Sequence, residues 1–173
     1  MAATFEWQEA NGAGETVTTP TNVNHKNIDD STSAYGSFPI TDWNNSFEKW
    51  QFGKFSWTYN QISAWLYAHT AGAFGTGLTL KGQTSMTVDG DKETYTTPAT
   101  TANANLSVDM TSVTAIGSWQ AVWFSWTDQN AVKTTTTTTN PWYTNYLTTQ
   151  LQTSGAGAWD TTSVTLTLQY DEN

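Results

Sequence analysis

The sequence predicts an all-β fold, an antiparallel two-sheet sandwich of the jelly-roll kind, and three observations predict it. About one residue in five is threonine and 14% are aromatic, types that suit the pleated, half-buried surface of a sheet. The chain divides into short stretches in which apolar and polar residues alternate, the period of a strand rather than a helix. Glycine, asparagine and proline punctuate these stretches at intervals of about 8 to 12 residues, the spacing of sandwiches and barrels.

Taken in order, Phe5 to Glu9 alternates strictly and Asn11-Gly12-Ala13-Gly14 turns it. Residues 16–45 are polar and irregular, with Pro20, Asp29, Asp30 and Pro39, and read as a short strand followed by a long surface connection. Between Ser46 and Asn60 the residues Phe47, Trp50, Phe52, Phe55, Trp57 and Tyr59 put aromatics on both faces of one strand, which predicts a central strand covered on both sides. Gly53 marks a bulge or kink within it. Ile62 to Ala68 continues this strand or begins another. Leu78 to Lys81 and Thr84 to Val88 are strands, the second running into Asp89-Gly90, a type I′ hairpin signal that returns over Lys92 to Thr97. Leu106, Val108 and Met110 alternate with polar residues, and Gln120 to Trp126 places Val122, Phe124 and Trp126 opposite Trp123. The threonines at 134–139 read as a solvated loop. Tyr143 to Thr153 has helical spacing behind Asn140-Pro141, yet its threonines favour a strand. Val164, Leu166, Leu168 and Tyr170 form the clearest alternation of all. No internal repeat is visible, and the 173 residues make one domain over 1–173, long enough to bury roughly two thirds of the unfolded surface without disulfides.

Composition narrows the function. A formal charge of −9, with six lysines and no arginine, removes the side chain that most often grips phosphate and reads guanine. Aromatics can stack on bases, but a strand of nucleic acid draws most of its affinity from a basic groove. No nucleic-acid partner is expected. The longest apolar runs, such as Ala121 to Phe124, fall far short of the roughly 20 residues a spanning helix needs, so no membrane partner is expected either. Met1 to Glu6 carries no basic and apolar export signal, and synthesis in a cytoplasm is the expectation.

Enzymatic readings were weighed against simpler ones. Small acidic, threonine- and tryptophan-rich jelly rolls include xylanases, whose two carboxyl groups face each other about 5 to 10 Å apart. Glu6, Glu9, Glu48 and Glu93 are the strand-borne candidates, with Glu6 on the face opposite Phe5, Trp7 and Glu9. Asn140 to Tyr146 resembles the strand that bears a xylanase nucleophile but contains no glutamate, so a jelly-roll glycosidase is a remote alternative and no catalytic residue is assigned. Asp89, Asp91 and Glu93 alternate as calcium ligands do, but the rest of a loop motif is missing and the turn already explains Asp-Gly. His25 and His69 are solitary, which argues against zinc. Gly-x-Ser-x-Gly is absent, and Gly72, Gly75 and Gly77 lack the ending of a phosphate-binding loop. No metal and no cofactor is expected.

Ten tryptophans remain as the strongest signal. Each carries roughly 200 Å² of surface, so a third of them left exposed exceeds the apolar patch that a solitary protein tolerates. Trp57, Trp65, Trp119, Trp123 and Trp126 are the candidates for core, for subunit interface or for a platform on which sugar rings stack.

The segments Asn45-Ser46-Phe47-Glu48-Lys49-Trp50, Gly53-Lys54-Phe55 and Tyr59-Asn60-Gln61-Ile62-Ser63, with the ending from Val164 to Asn173, resemble small β-rich virion structural proteins of tailed bacteriophages and prophages. The similarity runs over nearly the whole chain. It implies a non-enzymatic particle component, made in the host cytoplasm and mounted on a head or tail as decoration, tail or neck protein. Its implied partners are other copies of itself and other virion proteins. A carbohydrate-binding module using exposed tryptophans is the alternative, with a glycan as partner.

Overall fold

The computed structural model describes residues 4–56, 62–71, 74–82, 95–106, 108–111, 123–127, 142–143, 146–155 and 164–172. Among them the chain is all-β, with one three-residue 3-10 turn at Tyr35–Ser37 as its sole helical element. The strands are β1 (Thr4–Asn11), β2 (Thr16–Thr18), β3 (Lys49–Ser56), β4 (Ile62–Ala71), β5 (Leu78–Gly82), β6 (Val108–Asp109), β7 (Trp123–Thr127), β8 (Trp142–Tyr143), β9 (Leu147–Thr153) and β10 (Thr165–Glu172). One open antiparallel sheet has the order β2-β1-β3-β9-β5-β6, with β8 also on β3; a three-stranded sheet has the order β10-β4-β7.

The turn from β1 to β2 follows from its residues. Gly12 takes φ 70 and Glu15 φ 51, and Glu15 N donates to Gly12 O at 3.3 Å. Glycine occupies the left-handed region without cost, whereas Glu15 does so against its Cβ. The carboxylate of Glu15 accepts a hydrogen bond from the Tyr146 hydroxyl, a compensation that ties the turn to the sheet.

Strand β3 is central, as its doubled aromatic pattern predicts. It pairs with β1 from Thr4↔Ser56 to Ala10↔Trp50 and with β9 over Lys49↔Thr149 to Gln51↔Leu147. Beyond Gln51 the partner changes to β8, where Lys54 meets Tyr143 and Phe55 meets Trp142. On its other side the pairing with β1 runs unbroken past Gly53, which stands opposite Trp7, so no bulge interrupts that ladder.

Among the described residues, the stretch expected over Ser46 to Asn60 contains β3, Gln120 to Trp126 overlaps β7, and Tyr143 to Thr153 contains the end of β8 and all of β9. The Leu106 to Met110 alternation yields only the two residues of β6. Leu106 and Met110 are nonetheless buried. The Asp89-Gly90 hairpin and the threonine run at 134–139 lie outside the described residues.

Pairing in an antiparallel sheet puts partners on one face. One face of the large sheet carries Ala10, Trp50, Phe52 and Tyr146, a buried cluster that Tyr95 packs against. The rings meet edge to face, Trp50 with Tyr146 at 5.2 Å and Phe52 with Tyr146 at 5.2 Å between centroids, the arrangement that aromatic quadrupoles favour. Segment 95–106 covers this face, anchored where Gln150 Nε2 donates to Ser46 O, Ala99 O and Thr101 O.

The other face of the large sheet is partly covered by the irregular connection that follows β2, whose residues 19–45 are exposed or half-buried apart from Lys26. It lies over the polar residues of β1, β3 and β9, and Lys26 is fully buried there.

Candidate functional site

Beneath residues 19–47 lies a layer of charged and amide side chains. Alternation along β1 and β3 brings Glu9, Lys49 and Gln51 to the same face, and β9 adds Thr149. Lys49 Nζ donates to Glu9 Oε1 at 2.9 Å, and neither side chain has any exposure. The same ammonium donates to Asp30 O at 2.8 Å. Lys26 Nζ reaches Asp30 Oδ1 at 2.7 Å and Ser33 O at 2.6 Å. Lys49 thus fastens the loop to β3 through Asp30 O, while Lys26 closes the loop on itself through the Asp30 carboxylate.

The network extends toward the β1–β2 turn. Asn11 Nδ2 donates to Glu9 Oε1 and to Asp29 Oδ1, and Asp29 Oδ2 accepts from Gly12 N at 2.7 Å. At the other end Trp7 Nε1 donates to Gln51 Oε1 at 2.8 Å, Gln51 Nε2 to Thr149 Oγ1, and His25 Nε2 stands 3.1 Å from the same hydroxyl. Glu9 Oε2 and Asn11 Oδ1 are buried with no donor among the described residues.

Electrostatics fixes the protonation of this layer. Desolvation first, then the Lys49 charge, lower His25 from its ordinary 6.5 to about 3, so its ring is neutral. It is a hydrogen-bonding group and not a cation. Burial by itself raises the Asp30 carboxyl. The bonds from Lys26 and Ser33 outweigh that and hold it well below the usual carboxylate range. Desolvation pushes the Tyr95 and Tyr146 phenols far up, Asp29 adding to Tyr95 and Glu15 to Tyr146, so both hydroxyls stay protonated donors. Tyr95 donates to Gly12 O at 2.8 Å.

The carboxylates weighed for hydrolysis do not converge. Glu9 is sealed in its ion pair. Glu6 sits on the opposite face of β1, bonded by Lys54 Nζ at 2.9 Å. Glu48 is held by Trp50 Nε1 at 3.2 Å and Asn103 Nδ2 at 2.8 Å. Glu93, Asp89 and Asp91 lie outside the described residues. Among the described residues no three histidine, aspartate or glutamate side chains are grouped to hold a metal, and no helix is long and apolar enough to cross a membrane.

The five candidate tryptophans are divided. Trp57 and Trp119 lie outside the described residues. Trp65 belongs to β4, and Trp123 and Trp126 to β7. The register aligns Tyr67 with Trp123, Trp65 with Ser125, Leu66 with Phe124 and Ala64 with Trp126. On the far side of β4, Thr167, Gln169, Leu168 and Tyr170 continue these same four rows. Trp65, Tyr67 and Trp123 therefore share one parity, and Trp126 the other, as the alternation along this segment predicts.

Sequence reasoning missed Trp43. It sits in a polar stretch with no periodicity, and its one legible signal is an isolated indole between Asp42 and Asn44. In the fold it is the most exposed of the large apolar side chains described, at 74%.

Comparison with family models, with curated proteins and with solved structures found no match. The virion resemblance accordingly rests on the segments quoted above.

Proposed function

We propose that this chain is a non-enzymatic structural protein that self-associates through β-sheet and aromatic contacts, as a virion component does. The observation that carries the reading is the two-sidedness of the β10-β4-β7 sheet. One parity is apolar in nearly every row, with Ile62, Ala64, Leu66, Phe124, Trp126, Leu168 and Tyr170. The other mixes Trp65, Tyr67 and Trp123 with Ser63, Ser125, Thr127, Thr167, Gln169 and Asp171, the aromatic-with-polar composition of subunit contacts.

A finer architecture accompanies this reading. The apolar parity needs an apolar counterpart, and the large sheet supplies one where Phe5 packs on Phe55 and Trp7 at centroid distances of 5.1 and 5.7 Å. The two sheets then form a sandwich of jelly-roll type, which buries one face of the small sheet and leaves the other for a neighbouring copy.

Sedimentation of two single variants tests both statements. Trp126→Ser is expected to unfold the domain and Trp123→Ser to leave circular dichroism intact while weakening association. A wild type that stays monomeric at high concentration removes the assembly reading, and unfolding by both variants assigns both indoles to the core. Carbohydrate binding is the second reading; the observation that favours it lies at Trp43.

A further inference from the structure

Trp43 occupies the least economical position for a large side chain in the described structure. Its indole is 74% exposed and its backbone takes φ 63, the left-handed region where a bulky residue is strained. Asn44 and Asn45 follow directly, so a residue type that tolerates this conformation lies one step along the chain. The strain is enforced by a hydrogen-bonded turn. Trp43 N donates to Asp42 Oδ1 at 2.9 Å, Asn44 N to Thr41 O at 3.1 Å, and Asn44 Nδ2 to Thr41 Oγ1 at 2.7 Å. Strand β9 clamps the turn from below, with Thr153 N and Thr153 Oγ1 both donating to Asn44 O at 3.2 and 2.8 Å.

The indole also has a seat. A Cβ at Gly155 would stand 3.5 Å from Trp43 Cζ2 and 3.9 Å from Cη2, and Gly155 itself has φ 65. The six-membered ring thus stands beside Gly155 at a separation that would leave an added Cβ in ordinary van der Waals contact. The turn that carries it is built from Thr41, Asp42, Asn44 and Thr153, whose hydroxyl, carboxylate and amide groups bond one another and the turn backbone. No lysine belongs to this turn, and the chain carries net charge −9, which disfavours anionic ligands.

We propose that Trp43 is a stacking platform for a neutral pyranose ring of a glycan, with the polar groups of the 41–45 turn and Thr153 bonding the sugar hydroxyls. A flat aromatic face on a turn of short hydrogen-bonding side chains matches a sugar, which presents C–H groups on its face and hydroxyls around its rim. A protein partner anchored by an indole calls for an apolar surround that excludes water, and the turn here is hydroxyl, carboxylate and amide. The site lies on the large sheet, so it stands or falls separately from the assembly face of the small one.

The test is calorimetric titration of the full chain with cellohexaose, xylohexaose, maltohexaose and chitohexaose. At least one is expected to bind, with Trp43→Ala weakening it about tenfold or more and Trp43→Tyr retaining most of it. Trp43→Gly supplies a readout that a merely structural tryptophan does not give, because relief of the left-handed strain should raise the urea midpoint while binding disappears. Absence of binding to all four sugars overturns the proposal. So does binding that survives Trp43→Ala in a folded protein. Loss of self-association in Trp43→Ala without any sugar binding would make the indole a subunit contact instead.

Discussion

Glu9 and Lys49 carry opposite charges into a layer where neither side chain keeps any contact with water. Their attraction is offset by desolvation, so the pair contributes little net stability, yet removal of one partner strands the other. Lys49→Met is expected to cost about 3–5 kcal/mol in urea unfolding. The double variant Glu9→Leu/Lys49→Met should recover part of it, and only part, because Asn11 Nδ2 and Asp30 O lose partners. A fully additive double variant would mean that the two charges do not interact. His25 adds a pH dependence of definite sign. Its folded value of about 3 lies below the unfolded 6.5, so between those limits the unfolded chain binds a proton that the folded one refuses. The corresponding stability is complete above pH 6.5 and is lost as pH falls toward 3. The Asp30 carboxyl, also depressed, contributes above its ordinary 3.8 and loses that contribution in more acid solution. Unfolding free energies from urea titration at pH 7.5 and 4.5 should therefore differ by on the order of 2 kcal/mol in the wild type and by much less in His25→Gln. Equal differences in both proteins would place the acid sensitivity elsewhere.

At the scale of elements, the segment between β2 and β3 behaves as a strap. It has no ladder of its own. Its internal shape depends on the Asp30 carboxylate, which accepts from Lys26 Nζ, Thr32 N, Ser33 N and Ser33 Oγ, and its hold on the sheet includes the Lys49 bond to Asp30 O and the Asn11 bond to Asp29. Replacing Asp30 with Asn keeps the shape and removes the charge, at a cost of about 1.5–3 kcal/mol for charged hydrogen bonds. That loss should fall on the strap. Limited proteolysis is expected to gain cuts within 27–45 in Asp30→Asn, with the β signal in circular dichroism retained. Cuts that occur only together with global unfolding would make strap and sheet one cooperative unit.

For the whole molecule, the pairing is dominated by contacts remote in sequence. Gln51 and Thr149 are 98 positions apart, and β9 lies between β3 and β5, both remote from it in the chain. Loop closure precedes any reward from such contacts, so stopped-flow refolding is expected on the millisecond-to-second scale of all-β domains. Complete refolding in microseconds would contradict this topology. Circular dichroism should show well under a quarter helix, below the average of about a third for soluble proteins.

The sequence by itself determined the all-β class, the central position of β3 and the opposite parity of Trp123 and Trp126. These follow from a period of two, which the backbone imposes locally whatever the strand pairs with. Tertiary structure decided what no local pattern encodes. Nothing local in the sequence pairs Glu9 with Lys49 and Gln51, and only the packing of residues 19–47, tied to β3 through Lys49 and Asp30 O, made them a sealed polar layer. Trp43 lay in a stretch without periodicity, and only the clamp from Thr153 on Asn44 made it a presented ring. Burial and presentation depend on partners distant in the chain, and those partners are chosen by packing of the whole.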